Sequence, residues 1–166
     1  MLRPLATLFL LLAPVCLSGQ APAADLVIMV PDSEPRMRAA IDSARASVPR
    51  FMRILAAPST RDALLTIKVP LSDGRSTEHV WISDLRITAD MLEGTIDNDV
   101  TSVSGFVRGQ LVRVPTDSIS DWMAITGGRV LGGFSLRALR EGMSPDERQR
   151  FDSETNGVFS GPTLVE

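Results

Sequence analysis

The sequence is poor in the residues that most often mark a chemical site. It has one cysteine, one histidine and no tyrosine among 166 residues, and aromatic residues make up 5% of the chain. The cysteine, Cys16, lies in an apolar N-terminal run. Without that run the chain has no thiol, so it cannot form a disulfide, and a zinc site would need carboxylate ligands. We therefore predict a domain stabilised by packing alone, with no metal site and no cofactor.

The N-terminal run is typical of a cleavable signal peptide. Arg3 provides a positive charge, residues 5–17 are almost all apolar, and residues 21–23 (Ala-Pro-Ala) fit the pattern that signal peptidase cuts. The run is shorter than the ~20 residues that span a bilayer, and Pro14 interrupts it. We predict a signal peptide at 1–23, a periplasmic or secreted location, and no stable membrane insertion after cleavage. A retained membrane anchor and a lipid-anchored cysteine are the alternatives.

The charge balance does not indicate a polyanionic partner. The chain has 17 basic and 20 acidic side chains, a net charge of −3, and loss of Arg3 with the signal peptide would make it more acidic. Nucleic acids and anionic membrane surfaces are bound by proteins with basic patches. We therefore expect no nucleic-acid partner. The expected partner is a protein or small-molecule ligand that the sequence does not identify.

Apolar spacing predicts one long helix followed by several strands. Residues 26–30 indicate a short strand, and Asp32 or Ser33 can cap a helix that has Glu34 and Pro35 in its first turn. Helical spacing continues to residue 56, and we expect Pro49 to kink the helix after residue 47. Strands are predicted at 63–69, 78–85, 91–96, 111–114, 119–125 and 130–134, with a loop at 97–106 and a hairpin turn at 126–129.

The C-terminal part is predicted to be helical and then polar. Residues 136–141 fit a helical turn, and Ser144 and Glu147 form a capping box before a helix that ends near residue 151. These elements predict an α+β fold, in which one long, kinked N-terminal helix packs on a curved antiparallel sheet of about five or six strands. Residues 24–152 are assigned to this single globular domain, which ends in the short C-terminal helix. Residues 153–166 are assigned to a polar, mobile tail.

His79, the single histidine, is the first candidate for chemistry. On a strand, His79 and Trp81 share one face, while Glu78 and Val80 take the other. Glu78 is therefore poorly placed to orient the imidazole, although a lone histidine can act as a general base near neutral pH. The alternative interpretation is a half-buried histidine with a structural hydrogen bond.

Asp121 is the second candidate. Strand alternation places it on one face with Ile119, Met123 and Ile125, which we expect to face the core. A carboxylate on an apolar face needs a partner, and Arg137 is a natural one. A buried ion pair that fixes the strand register is one interpretation. A carboxylate with a shifted pKa in a cleft is the other.

Other motifs are incomplete. Asp97-Asn98-Asp99 starts like a calcium loop, but the glycine and the terminal glutamate of that loop are missing. Gly128 and Gly133 have the spacing of a phosphate loop, but the lysine that binds the phosphate is absent. The Gly-x-Ser-x-Gly signature of serine hydrolases does not occur. None of these patterns predicts a bound ion or nucleotide.

Several short motifs follow one another along most of the chain. They are Pro35-Arg36-Met37, Lys68-Val69-Pro70, Glu78-His79-Val80-Trp81, Asp121-Trp122-Met123 and the stretch from Gly132-Gly133-Phe134 to Arg137. With these motifs the chain resembles the YegJ-like family, a bacterial domain of unknown function. It departs from the pattern at Gln110, where an acidic residue is expected, and at 97–106, which lacks an Asn-x-Pro. The resemblance implies an architecture and a set of residues to test, but no reaction.

Two functional hypotheses follow from the sequence. The first is a non-enzymatic exported module that binds its ligand at the sheet surface near Trp81 and Trp122, because aromatic side chains are good contact anchors. The second is a small hydrolase-like enzyme that uses His79 with Glu78 or Asp121. A third interpretation is that the shared residues specify only the fold. The polar candidates for a site are His79, Glu78, Asp121 and Arg137.

Overall fold

A computed structural model of the chain describes residues 34–58, 63–89, 91–126 and 129–161. The predicted signal peptide, the strand predicted at 26–30 and the glycine pair of the 126–129 turn lie outside these residues. In chain order the elements are α1 (Pro35–Ala56), β1 (Leu64–Ser72), β2 (Thr77–Thr88), β3 (Met91–Ile96), β4 (Leu111–Pro115), β5 (Asp121–Thr126), β6 (Arg129–Gly132), α2 (Phe134–Gly142) and α3 (Pro145–Glu154).

The strands form one open, antiparallel, six-stranded sheet with the order β4-β3-β2-β1-β5-β6. The first four strands are consecutive neighbours, and the chain then returns through a short 3-10 turn at Thr116–Ser118 to place β5 beside β1. In this register Ile67 of β1 lies between Ile82 of β2 and Trp122 of β5, and all three are buried. A long helix and this sheet confirm the predicted α+β class.

The apolar stripe of α1 packs on one face of the sheet. Ala44 and Phe51 are fully buried, and the Phe51 ring packs against Trp122 with 5.3 Å between ring centroids. The helix is continuous through Pro49, and Phe51 packs its second half against the sheet. We call the sheet face that contacts α1 the inner face and the opposite face the outer face. None of the described helices is long and apolar enough to cross a membrane.

The cap of α1 differs from the prediction. Glu34 is the N-cap, and its carboxylate accepts a hydrogen bond from the Met37 amide at 3.0 Å. The predicted cap is Asp32 or Ser33, with Glu34 inside the first turn. The reason lies in Pro35, which occupies the first helical position and so makes the preceding residue the cap.

The C-terminal elements cover the outer face at β5 and β6. Met123, Ile125 and Val130 lie on that face and belong to a second apolar cluster that includes Phe151 and Phe159. Helix α2 has nine residues and begins at Phe134, so it is longer than the predicted turn and includes the end of the last predicted strand.

The predicted capping box of α3 is present, and the helix extends to Glu154. Beyond it, Phe159 is 6% exposed and lies 5.7 Å from the Phe151 ring. Packing therefore continues past residue 152, the predicted end of the domain.

Candidate functional site

Strand alternation separates the candidate residues of β2, as predicted. Glu78 and Val80 are buried on the inner side, whereas His79 and Trp81 lie on the outer face and are partly buried. Lys68, the single lysine of the chain, pairs with Trp81 across β1 and β2, and its Nζ lies 5.5 Å from the centroid of the indole ring. This distance is that of a cation–π contact. We call Lys68, His79 and Trp81 the outer-face cluster.

His79 has a hydrogen-bond partner, Ser120, that is not among the predicted site residues. Its Nδ1 lies 2.8 Å from Oγ of Ser120, and that Oγ lies 3.1 Å from the carbonyl oxygen of Lys68. A hydroxyl donates only one proton. If it donates to the carbonyl, Nδ1 must donate to Oγ. Ser120 is 2% exposed, so its hydroxyl positions the ring and is not presented to a substrate.

The contact between Ser120 and His79 depends on the pairing of strands that are distant in the sequence. Ser120 lies 41 residues from His79 and joins it only because the residue before β5 meets β1. The Ser120 amide donates to the carbonyl of Lys68 at 2.8 Å, which fixes this meeting point. No short-range pattern in the sequence carries that information.

Glu78 anchors a loop. Its carboxylate accepts hydrogen bonds from the amides of Thr101, at 2.9 Å, and Ser102, at 2.5 Å. The side chain is on the sheet face opposite His79, so these two residues do not form a catalytic pair. The loop that it holds is the polar segment predicted at 97–106.

Two further side chains hold the same loop. Asn98 Oδ1 accepts from the Trp81 amide at 2.6 Å, and Asp73 accepts from the Ser104 amide at 2.9 Å. Hydrogen bonds from Ser104 and the neighbouring amides lower the pKa of Asp73 to about 2. Asn98 therefore has a structural role in place of the calcium-loop role that its flanking aspartates suggest.

Asp121 caps helix α2 from the neighbouring strand. It is fully buried, and its carboxylate accepts four hydrogen bonds: from the amides of Trp122, Phe134 and Ser135 and from the Ser135 hydroxyl, at 2.6–3.1 Å. The backbone cap of α2 is Gly133, which has no side chain to do this. Burial raises the pKa of Asp121, and the hydrogen bonds act in the opposite direction by favouring the carboxylate.

The predicted ion pair between Asp121 and Arg137 is wrong. The Arg137 guanidinium donates instead to four backbone carbonyls, those of Val130, Gly132, Phe159 and Gly161. It also lies 5.7 Å from the Phe159 ring. The α2 N-terminus satisfies the Asp121 carboxylate, so the buried charge needs no cation in contact. Burial lowers the pKa of Arg137, and the Asp121 charge raises it.

Trp122 is a core residue, which corrects its assignment as a surface anchor. It is 1% exposed and packs between Phe51 and Phe134. Its Nε1 donates to Ser47 Oγ at 2.9 Å, so its polar atom is satisfied inside the fold. Strand alternation with Ile119 and Ile125 predicts that the face of Asp121 and Met123 is the main core face, but on β5 the face toward α1 is that of Trp122 and Ala124.

The described residues offer no other assembled chemistry. No three His, Cys, Asp or Glu side chains among them lie close enough to share a metal ion. A cavity of about 300 Å³ lies between the start of α1 and the end of α2, lined by Arg36, Met143 and Glu147 among others. None of the predicted site residues lines this cavity.

Comparison with known proteins places this fold in a family. A family model described as an uncharacterized protein conserved in bacteria, DUF2314, matches residues 34–159. The chain belongs to this family. The match covers every described helix and strand, so the shared pattern and the fold coincide.

Two curated relatives extend the comparison of this DUF2314 chain. It is 29% identical to the uncharacterized protein YegJ of Escherichia coli over 74% of this chain and 78% of that protein, which confirms the YegJ-like resemblance. It is 34% identical to a protein of Neisseria meningitidis serogroup B named "Putative ankyrin repeat protein", over 60% of this chain. The matched region spans 41% of that longer relative. No solved structure matches the chain.

Proposed function

We propose that this DUF2314 chain is exported and acts as a non-enzymatic module that binds a protein or small-molecule ligand through the outer-face cluster. One observation carries the proposal: Trp81 lies partly exposed on the face opposite α1, with the Lys68 ammonium 5.5 Å from its ring. An indole supplies flat apolar area, and the neighbouring cation and imidazole supply polar contacts. This combination fits a ligand with a flat or apolar body.

The positions of Glu78, Asp121 and Ser120 favour binding over the hydrolase-like alternative. A base needs an orienting carboxylate or a nucleophile within hydrogen-bond reach and open to substrate. Glu78 holds a loop on the opposite face, and Asp121 is buried against α2. Ser120 does contact His79, but it is buried as well. The support for an enzyme therefore rests on His79 alone, whereas the support for binding includes Trp81 and Lys68.

The single lysine gives a direct test of the binding surface. A limiting amount of an acetylating reagent modifies Lys68 and the N-terminal amine, and mass spectrometry distinguishes the two products. We expect a low-molecular-weight extract of bacterial periplasm, or its protein fraction, to slow acetylation of Lys68 and leave the N-terminal amine unaffected. The Trp81→Ala variant should lose this protection. Val107→Ala, a change at a surface residue that is 65% exposed, is the matched control and should keep it.

Two outcomes would contradict the binding proposal. Protection of Lys68 that is equal in the wild type and the Trp81→Ala variant would show that the indole is not part of the surface. Acetylation of Lys68 that no fraction slows would show that the face is not used for binding. A hydrolytic activity that is lost in His79→Gln and kept in Trp81→Ala would favour the alternative.

Export has a separate test. We expect the full-length chain to be found in the periplasm or the medium, with a mass that begins at Ala24, because residues 1–23 have the signal-peptide pattern. A chain that lacks residues 2–23 should stay in the cytoplasm. Recovery of the full-length chain from the cytoplasm with Met1 or Leu2 at its N-terminus would contradict export.

A further inference from the structure

The two edge strands of the sheet, β6 and β4, differ in whether other residues bind their outward backbone groups. At the β6 edge, Arg137 donates to the carbonyls of Val130 and Gly132, at 3.3 and 3.2 Å. The same guanidinium binds the carbonyl of Gly161 at 2.7 Å, which holds the C-terminal segment beside this edge. Unpaired backbone groups on an edge strand are a template for another strand. Because Arg137 occupies these two carbonyl groups, β6 cannot offer them to another strand.

The β4 edge is not covered in this way. It is the outermost strand, and among the described residues no strand pairs with it on the side away from β3. The Ile96 amide donates to the carbonyl of Gln110 at 3.0 Å, so Gln110 is a hydrogen-bonded position of the β3–β4 ladder. Because such positions alternate in antiparallel pairs, the backbone N–H and C=O groups of Leu111 and Arg113 point outward from the sheet.

The side chains of this edge favour a specific partner over indiscriminate pairing. Leu111 is 61% exposed, which is unusual for a large apolar side chain on a strand. Arg113 forms an ion pair with Glu93 of β3 at 2.7 Å, and its side chain is 69% exposed. Pro115 ends the strand and has no N–H. A charge and a proline on a short edge limit the registers that a second strand can adopt.

We propose that β4 pairs antiparallel with β4 of a second copy of this chain, centred on Val112, so that two sheets join into one. In this register Leu111 of each copy lies opposite Arg113 of the other, and these two positions exchange both backbone hydrogen bonds. The arginine stem covers the exposed leucine, and like charges are not opposed. The interface is the same patch on both copies, as a two-fold dimer requires.

The neighbouring registers of the β4–β4 pair are less favourable, because they oppose like charges or lose backbone hydrogen bonds. Centring the pair on Arg113 would place the two guanidinium groups opposite each other and would put Leu111 against Pro115, which cannot donate. Centring it on Leu111 would leave Arg113 opposite Gly109, outside the strand. Self-association through β4 therefore has one favourable register. Since it has only one short strand from each copy, we expect a reversible dimer with a dissociation constant between roughly 10 μM and 1 mM.

Sedimentation of the purified chain tests the dimer. The weight-average mass of the wild type should rise with concentration toward that of a dimer. Leu111→Lys, which places an ammonium opposite Arg113, should weaken association by about tenfold or more. Leu64→Lys changes another exposed leucine, on β1, and should have no effect. Circular dichroism confirms that both variants are folded.

Cysteine cross-linking tests the register. In a Cys16→Ser background, Val112→Cys places two thiols at a non-hydrogen-bonded pair, where Cα atoms about 4.5 Å apart suit a disulfide. We expect oxidation to link this variant into dimers, whereas Leu64→Cys stays monomeric. A wild type that is monomeric up to about 1 mM, or a dimer that Leu111→Lys leaves intact, would overturn the proposal. Cross-linking that is equal at positions 64 and 112 would overturn the register.

Discussion

The cap that Asp121 provides to α2 gives the sharpest test of the folded structure. Its Oδ1 accepts from the amides of Trp122 and Phe134, and its Oδ2 accepts from the amide and hydroxyl of Ser135. In Asp121→Asn the amide oxygen keeps one pair of donors, but the new NH₂ group faces the Ser135 amide. One buried donor then has no acceptor.

The expected loss follows from the number of orphaned donors. A buried donor without a partner costs about 1–3 kcal/mol, so Asp121→Asn should lower the free energy of unfolding by about that amount. Asp121→Ala leaves three buried amides without an acceptor and should therefore cost more, about 3–5 kcal/mol. The cost is less than three times that of one orphaned amide because the substitution also removes a buried charge. Urea unfolding followed by tryptophan fluorescence measures both values. Asp117→Asn, at an exposed position, is the control and should change stability by less than about 0.5 kcal/mol.

A double-mutant cycle separates this account from the ion pair that the sequence suggested. Asp121 and Arg137 have different hydrogen-bond partners, so the coupling between Asp121→Asn and Arg137→Gln should be below about 1 kcal/mol. A loss of less than about 0.5 kcal/mol in Asp121→Asn would refute the capping role. A large favourable coupling would refute the separation of the two residues.

Three further predictions concern other structural residues. The pKa of Asp73 is lowered to about 2 by hydrogen bonds from backbone amides, first of all that of Ser104. Protonation of Asp73 should therefore release the loop as the pH falls from about 3.8 toward 2. Asp73→Asn should speed hydrogen exchange of the Ser104 amide even at neutral pH. Gly94→Ala should cost about 1–3 kcal/mol in urea unfolding, because its Cβ would lie 2.6 Å from the Ser83 carbonyl oxygen. Arg137→Lys should lower stability by about 1–3 kcal/mol, because one ammonium cannot reach four carbonyls; an unchanged midpoint would contradict the clamp.

Local patterns were sufficient for much of the fold. Apolar spacing predicted the face of α1 that contacts the sheet, and Ser144 with Glu147 predicted the start of α3. Alternation along β2 predicted that His79 and Trp81 lie on the face opposite Glu78, and they do. These features depend only on helix and strand periodicity, so they can be read from a short window.

Partners that are distant in the sequence could not be predicted in the same way. Asp121 was expected to need a cation, but the amides of an α-helix that begins 13 residues later satisfy it. Alternation predicts that Trp122 and Asp121 lie on opposite faces of β5, but it does not say which face meets α1. Ser120 reaches His79 only through the β1–β5 pairing. In each case the deciding contact joins two different elements of the fold, so a short window of sequence does not contain it.

The most direct test of the proposed binding surface compares the two indole N–H resonances of the chain, one from each tryptophan. Trp81 lies on the outer face and Trp122 lies in the core, so one resonance reports on the surface and the other serves as an internal control. During titration with periplasmic extract, the Trp81 resonance should shift in a saturable manner while that of Trp122 stays in place. A saturable shift of Trp122 alone, or shifts confined to α1 and α2, would contradict a binding surface on the outer face.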